Sequence, residues 1–388
     1  MIKVTLDGHN GFYGLSDVLR LFYGRAIENR DEGYITCEAD KDILIKSVYF
    51  DGIVKTYVEG FEEKWTQLIN QKFDGIQLEL KREIKRQLYF LLSEIENRSF
   101  PWGSLTGIRP TLVANEVGSV KSLEKDYLVR RDKALLCVET AKKENEVLLR
   151  QKEDAINVYV GIPFCPSRCA YCSFVSQDIS HHLNKLPLYA DSLCKEISVA
   201  AKKMPAVSTV YLGGGTPTVF DNLEFKKVID TIVSEFSFEK DAEITVEAGR
   251  PDTINEYKLQ VMKDAGIRRI CINPQTMSDE TLRKFNRKHT VDDVVRVFEM
   301  ARKLGFDNIN MDIILGLPNE HLFEVIKTLY EIGKLKPESL TVHSLAIKRA
   351  SRLKEVRDQM VNIRTLGVQN IFGVIVCLRE EIFHDFPI

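Results

Sequence analysis

The stretch Val158–Phe174, VYVGIPFCPSRCAYCSF, decides how this chain is read. It opens as an apolar, β-branched run of the kind that forms a buried strand, then passes directly into Cys165, Cys169 and Cys172, spaced C-x3-C-x2-C. Three soft thiolates on one short loop suit a metal centre. Four would close the site, whereas three leave one coordination position for a small molecule. Iron–sulfur clusters are ordinarily held by four cysteines, but the next position is Ser173. The spacing therefore points to a cluster with one iron left bare by the polypeptide. A three-cysteine zinc site would want a nearby histidine, and His181 and His182 fall in a polar loop well beyond the triplet. No secretory segment marks an oxidising compartment, which argues against a disulfide. Cys37, Cys137, Cys194, Cys271 and Cys377 are isolated and read as small buried hydrophobes.

Working outward, 388 residues with 44% apolar content predict two or three domains with a sizeable core. A net charge of −2 with 28% charged residues of mixed sign gives no electrostatic footprint for nucleic acid. No apolar run approaches the ~18 residues needed to span a bilayer. The N-terminus, MIKVTLDG, begins as a strand rather than a targeting peptide, and eight cysteines without an export signal point to the cytoplasm.

Before the triplet, IKVTL, YITCEA, DILIKSVYF and IVKTYVEG alternate as strands of a small sheet, with a helical stretch between the first two. Leu80, Ile84, Leu88, Leu91 and Ile95 form one apolar helical stripe, ended by Asn97 and Pro101. A charged helical region from Ser122 to Asp154 leads to the cysteine strand, which sets residues 1–153 apart as an N-terminal α/β domain with a helical connector. From 154 to 351, strand-like runs at 158–164, 208–215, 243–249, 268–275, 308–318 and 339–346 alternate with helical patterns. Alternation of this kind implies parallel βαβ units. Six in series, without a dinucleotide glycine fingerprint, predict an α/β fold with a partial (β/α)6 barrel. Reactive groups in such folds collect at the C-terminal strand ends. Here those ends carry the cysteine loop, GGGTPT, Glu247, Gln275, Asp312 and Ala346. Residues 352–388 form a short segment of different character.

VYVGIPFCPSRCAYCSF, VYLGGGTPT, ITVEAGRPDTI, INPQTM, NRKHT, MDIILGLP and LTVHSLAIKRAS together resemble the radical S-adenosylmethionine (SAM) superfamily. Within it they are similar to the oxygen-independent coproporphyrinogen III oxidase, or coproporphyrinogen dehydrogenase, family, and the joint PWGSLTGIRPT resembles its HemZ-like branch. The resemblance implies a radical SAM barrel whose Cys165, Cys169 and Cys172 hold a 4Fe–4S cluster, with SAM chelating the vacant iron. It also implies SAM contacts from Tyr159, Tyr171, Gly214, Gly215, Thr216, Glu247, Gln275, Arg287, Asp312 and Ala346. Carboxylates suit ribose hydroxyls or an ammonium, and Arg287 could take a carboxylate bidentately. His289 and His343 read as structural. Where the best-known bacterial member has a further cysteine, this chain has Ser173–Phe174, and its C-terminus differs from the family's longer substrate-covering extension.

The implied activity is oxidative decarboxylation of coproporphyrinogen III propionates to vinyls, giving protoporphyrinogen IX in haem biosynthesis by way of a 5′-deoxyadenosyl radical. A porphyrinogen or haem-like tetrapyrrole is the implied substrate, and flavodoxin or ferredoxin the kind of low-potential electron donor. Two other readings stay open within the same resemblance: a haem-binding chaperone and a radical SAM methyltransferase.

Overall fold

The computed structural model of the chain describes residues 1–59, 77–105, 109–150, 152, 154, 156–345 and 353. The chain divides into two compact units, Met1–Gln151 and Lys152–Ile388. Ala346, Cys377 and, apart from Leu353, the segment 352–388 lie outside the described residues.

In the first unit, β1 (Ile2–Asp7), α1 (Phe12–Tyr23), β2 (Ile27–Asn29), β3 (Tyr34–Cys37), β4 (Ile43–Phe50) and β5 (Ile53–Glu59) follow in order. Their sheet runs β2-β3-β1-β4-β5, with β1 parallel to β4 and antiparallel to β3. Strand alternation buries Ile2, Val4, Ile35, Ile45 and Val54 in one core. Helix α2 (Gln77–Ile95) closes that core with Ile84, Leu88 and Leu91, as its apolar stripe predicts. Three further helices follow: α3 (Pro110–Val117), α4 (Val120–Tyr127) and α5 (Arg131–Leu148). The expected helical region after Ser122 is thus broken in two. Leu128 takes a left-handed conformation (φ 54°) that ends α4, and its side chain packs against the sheet's core. That leucine is half-buried against the core at the break.

The second unit contains β6 (Ile156–Ile162), β7 (Phe164–Cys165), β8 (Gln177–Asp178), α6 (Leu186–Ala201), β9 (Val207–Gly214), α7 (Asn222–Glu235) and β10 (Phe238–Val246). It continues with α8 (Glu256–Asp264), β11 (Arg269–Cys271), α9 (Asp279–Lys284), α10 (Val291–Lys303), β12 (Asn308–Leu315), α11 (Leu322–Leu335) and β13 (Ser339–Ser344). Six strands lie side by side as β6-β9-β10-β11-β12-β13, every neighbouring pair parallel. Spatial order equals chain order, with helix in every crossover, which is the partial (β/α)6 barrel. Side chains of Asp221, Asn255, Ser278 and Thr290 start α7, α8, α9 and α10 by accepting hydrogen bonds from first-turn amides.

Strand β11 is shorter than the run 268–275 predicted. Pro274 brings no N–H to the ladder, and Gln275 adopts a positive φ of 68°. Gln275 rejoins the sheet only through an isolated bridge to Ile313.

One face of the sheet is apolar. Val160, Ile162, Val210, Leu212, Val246, Ile270, Ile309, Met311 and Ile313 pack with Leu193, Ile197, Val228, Ile232, Val297, Phe298 and Leu329 from the helices. Full burial of each such side chain contributes about 1.5–3 kcal/mol. Leu329 of α11 is 1% exposed, whereas Phe323 of the same helix is 73% exposed. Leu329→Ala is expected to lower unfolding free energy by about 2–5 kcal/mol in urea titration. Phe323→Ala should change it by less than about 0.5 kcal/mol.

Candidate functional site

The opposite face of the same sheet is polar. Register sets Tyr159, Tyr211, Thr245 and Arg269 side by side, and further along Cys271, Asn310 and Ser339. Near the C-terminal strand ends it carries Gly213, Glu247, Asn273, Asp312 and His343. Tyr159 and Tyr211 stack with ring centroids 5.9 Å apart and planes at 10°, and Tyr159 is 62% exposed.

The cysteine loop leaves β6 through Pro163. The β7–β8 ladder folds it back, with Gln177 N donating to Pro163 O at 2.7 Å. A distant segment then holds it. Ser167 Oγ donates to Asn286 O at 2.6 Å, Asn286 Nδ2 to Arg168 O at 3.1 Å, and Ala170 N to Phe285 O at 3.2 Å. Inside the loop, Cys172 N donates to Cys169 O at 3.1 Å. Burial pushes the Cys172 thiol up, the Phe174 backbone pulls it down, and Cys169 and Cys165 lie near enough to push it up further. All three cysteines are free.

The glycine run at the end of β9 closes on this loop. Gly215 N donates to Ile162 O at 2.6 Å. A Cβ on Gly215 would lie 2.5 Å from Phe164 O and 3.0 Å from Cys165 Sγ, so only glycine fits there. Gly214 has φ 107°, and a Cβ on it would meet Ile162 O at 2.9 Å. Thr216 is buried, with Oγ1 3.5 Å from Cys165 Sγ as its donor.

Two carboxylates stand beyond the glycines. Asp312 is held at both oxygens: Asn310 Nδ2 donates to Oδ1 at 2.7 Å and Asn273 Nδ2 to Oδ2 at 3.0 Å. Ser339 and Thr341 hydroxyls fix Asn310 in turn, at 2.9 and 3.1 Å. Glu247 is pushed up to about 7, first by burial and then by the like charge of Asp312, against a lowering hydrogen bond from the Gly214 backbone. Gln275 joins Asp312 through the backbone, its N donating to Asp312 O at 2.9 Å.

Arg287 differs from the bidentate carboxylate partner the sequence suggested. Its Nη1 donates to Tyr171 Oη at 3.0 Å, and its Nη2 to Gly249 O and Asn273 O at 2.8 and 2.7 Å. The terminal fork is therefore committed to the protein, and Nε is the donor left without a partner. His289 is buried near Asp252, at 3.6 Å. His343, expected to be structural, instead stands 56% exposed on the polar face, 3.9 Å from Asp312.

Sequence reasoning passed over Asn273, Asn310, Tyr211 and Arg250. Asn310 and Tyr211 sit two residues before Asp312 and Gly213, so strand alternation places them on the site face, and Asn273 lies two residues past Cys271 of that face, beyond the end of β11. Arg250 carries no such signal, because it follows the end of β10.

These residues fit a cluster with SAM. Cys165, Cys169 and Cys172 are soft thiolate donors of the kind an iron–sulfur cluster takes. Buried Asn273 Oδ1 and Arg287 Nε lack hydrogen-bond partners, which leaves an acceptor and a donor for a polar ligand. Glycines open the approach to Cys165.

Residues 159–331 match the Radical SAM superfamily. The chain belongs to that superfamily. Its cofactors are a 4Fe–4S cluster and SAM. The sequence is 37% identical over 313 residues to the oxygen-independent coproporphyrinogen-III oxidase-like protein HemZ of Bacillus subtilis, covering 76% of this chain and 62% of HemZ. It is 34% identical over 198 residues to the heme chaperone HemW of the same organism, covering 50% of this chain and 51% of HemW. The solved structure of coproporphyrinogen III oxidase (HemN) from Escherichia coli matches with a TM-score of 0.54 and 25% identity, over 62% of this chain and 56% of HemN. The chain thus spans less than two thirds of each of these relatives.

Glu247 gives a pH test. Its folded value lies above the ordinary carboxylate value of 4.5, so the folded state holds the proton more tightly. Its contribution is present below about pH 4.5 and is lost as pH rises through about 7. The melting temperature of the protein without cofactors should fall between pH 5 and pH 8. In Glu247→Gln that fall should shrink; an equal fall in both proteins would contradict the assignment.

Proposed function

We propose that this protein is a radical SAM oxidoreductase that converts coproporphyrinogen III propionates to vinyl groups without oxygen. The carrying observation is the extent of the likeness to HemZ. Its 313 aligned residues exceed the length of the second unit, Lys152–Ile388, so the match reaches into the first. The HemW likeness spans 50% of this chain. A haem chaperone is the second reading, and that likeness is what favours it.

In this reading Cys165, Cys169 and Cys172 hold the cluster and leave one iron to SAM. When bound, these cofactors supply reductive cleavage of a sulfonium and hence a hydrogen-abstracting radical. The chain's own residues place and shield that chemistry. Gly214 and Gly215 let backbone approach the ligand, and Thr216 steadies Cys165. Asp312, immobilised by two asparagines, offers an oriented acceptor for a hydroxyl or ammonium. Glu247, near half-protonated at neutral pH, becomes a carboxylate when a cationic ligand settles beside it. Tyr159, Tyr171, Gln275, Arg287 and Ala346 complete the proposed cofactor contacts. The substrate is a porphyrinogen or related tetrapyrrole, electrons come from a flavodoxin- or ferredoxin-like donor, and the setting is the cytoplasm. No helix among the described residues is long and apolar enough to cross a membrane.

Two measurements check this. Anaerobic incubation with SAM, reductant and coproporphyrinogen III should yield vinyl-bearing product. Stoichiometric haem binding without turnover would favour the chaperone, and methylated product a methyltransferase. After anaerobic reconstitution, Cys169→Ala should lose most bound iron, whereas Cys194→Ala, a buried cysteine in α6, should keep it.

A further inference from the structure

Arg250 is 4% exposed and lies between β10 and the tight turn Pro251–Thr253. Its guanidinium is used at every nitrogen. Nε and Nη2 donate to the two oxygens of Asp252, both at 3.0 Å. Nη2 also donates to Ser167 Oγ at 3.1 Å, and Nη1 to Ser167 O at 3.2 Å. The remaining contact is Nη1 to Cys169 Sγ at 3.8 Å, within reach of an N–H···S hydrogen bond.

Taking a guanidinium and a carboxylate out of water is costly, and a packed apolar pair could fill the same space without that cost. Mere attachment of the loop does not call for an ion pair. What the pair adds is direction: Asp252 grips one edge of the fork, and the other edge is turned toward the sulfur of Cys169. We propose that Arg250 is a positioning residue that fixes Cys169 and, by donating to its sulfur, makes the metal centre on this loop easier to reduce. The proposal rests on the reading that the three loop cysteines hold a cluster.

The chemistry is a one-electron gain. An external low-potential reductant supplies the electron, no bond breaks and no proton moves. The added charge spreads partly onto the thiolate sulfurs. A donor and a cation beside one of them stabilise the reduced form and raise its midpoint potential.

The test uses the full chain, reconstituted anaerobically with iron and sulfide and titrated with dithionite under electron paramagnetic resonance. Wild type is compared with Arg250→Gln and Arg250→Lys. Loss of the donor should shift the reduction equilibrium at least ten-fold toward the oxidised form, about 59 mV for one electron. Arg250→Lys, which keeps the charge, should recover part of that shift. A lower midpoint in either variant that retains the cluster supports the proposal. Unchanged midpoints at normal iron content overturn it. Cluster loss in both variants also overturns it, because only a packing role would remain. Failure of wild type itself to take up iron and sulfide would instead sink the cluster reading, and this proposal with it.

Discussion

Side chains alternate across a strand, and the two faces of the six-stranded sheet follow from that rule. One face is aliphatic and covered by α6, α7, α8, α10 and α11, which supplies the cohesion of the second unit. The other is thereby free to be polar. Parallel running adds a second consequence: all six strands end on the same side, so every loop that leaves a C-terminal strand end arrives in one neighbourhood. The cysteine loop, the glycine run, Glu247 and Asp312 meet for this reason, although about 150 residues of sequence separate the first from the last.

Within that neighbourhood, short polar contacts replace apolar packing as the source of order. The cysteine loop has few backbone hydrogen bonds of its own and takes its shape from Phe285, Asn286 and Arg250. Asp312 is likewise oriented by neighbours on adjacent strands rather than by its own strand alone. Such networks are costly when incomplete. The unpartnered atoms at Asn273 and Arg287 mark where the network is unfinished by protein.

Most of the barrel was legible in the sequence because its signals are local. Apolar runs of strand length and helical periodicity can be read within a few positions. Cys165, Cys169 and Cys172 stand out in the sequence by spacing, and the structure shows the steric need for Gly215 beside Cys165. What escaped was either non-local or conditional. Leu128 ends a helix in a left-handed conformation, half-buried against a core assembled only in the folded state. Arg250 matters because of Cys169, 81 residues away in sequence. Arg287 reads in the sequence as a bidentate partner for a carboxylate, yet its fork is spent on two carbonyls and a phenol that only the fold brings within reach.

The central claim is that the polypeptide provides three thiolates, and no fourth ligand, to a cluster whose remaining iron receives SAM. Electron paramagnetic resonance of the reduced, reconstituted full-length protein, recorded with and without SAM, tests it most directly. The account predicts a 4Fe–4S signal whose g-values shift when SAM is added, with hyperfine coupling from nitrogen-15 in the SAM amino group at one iron. A spectrum indifferent to SAM, or iron ligated by a fourth protein side chain, would contradict it.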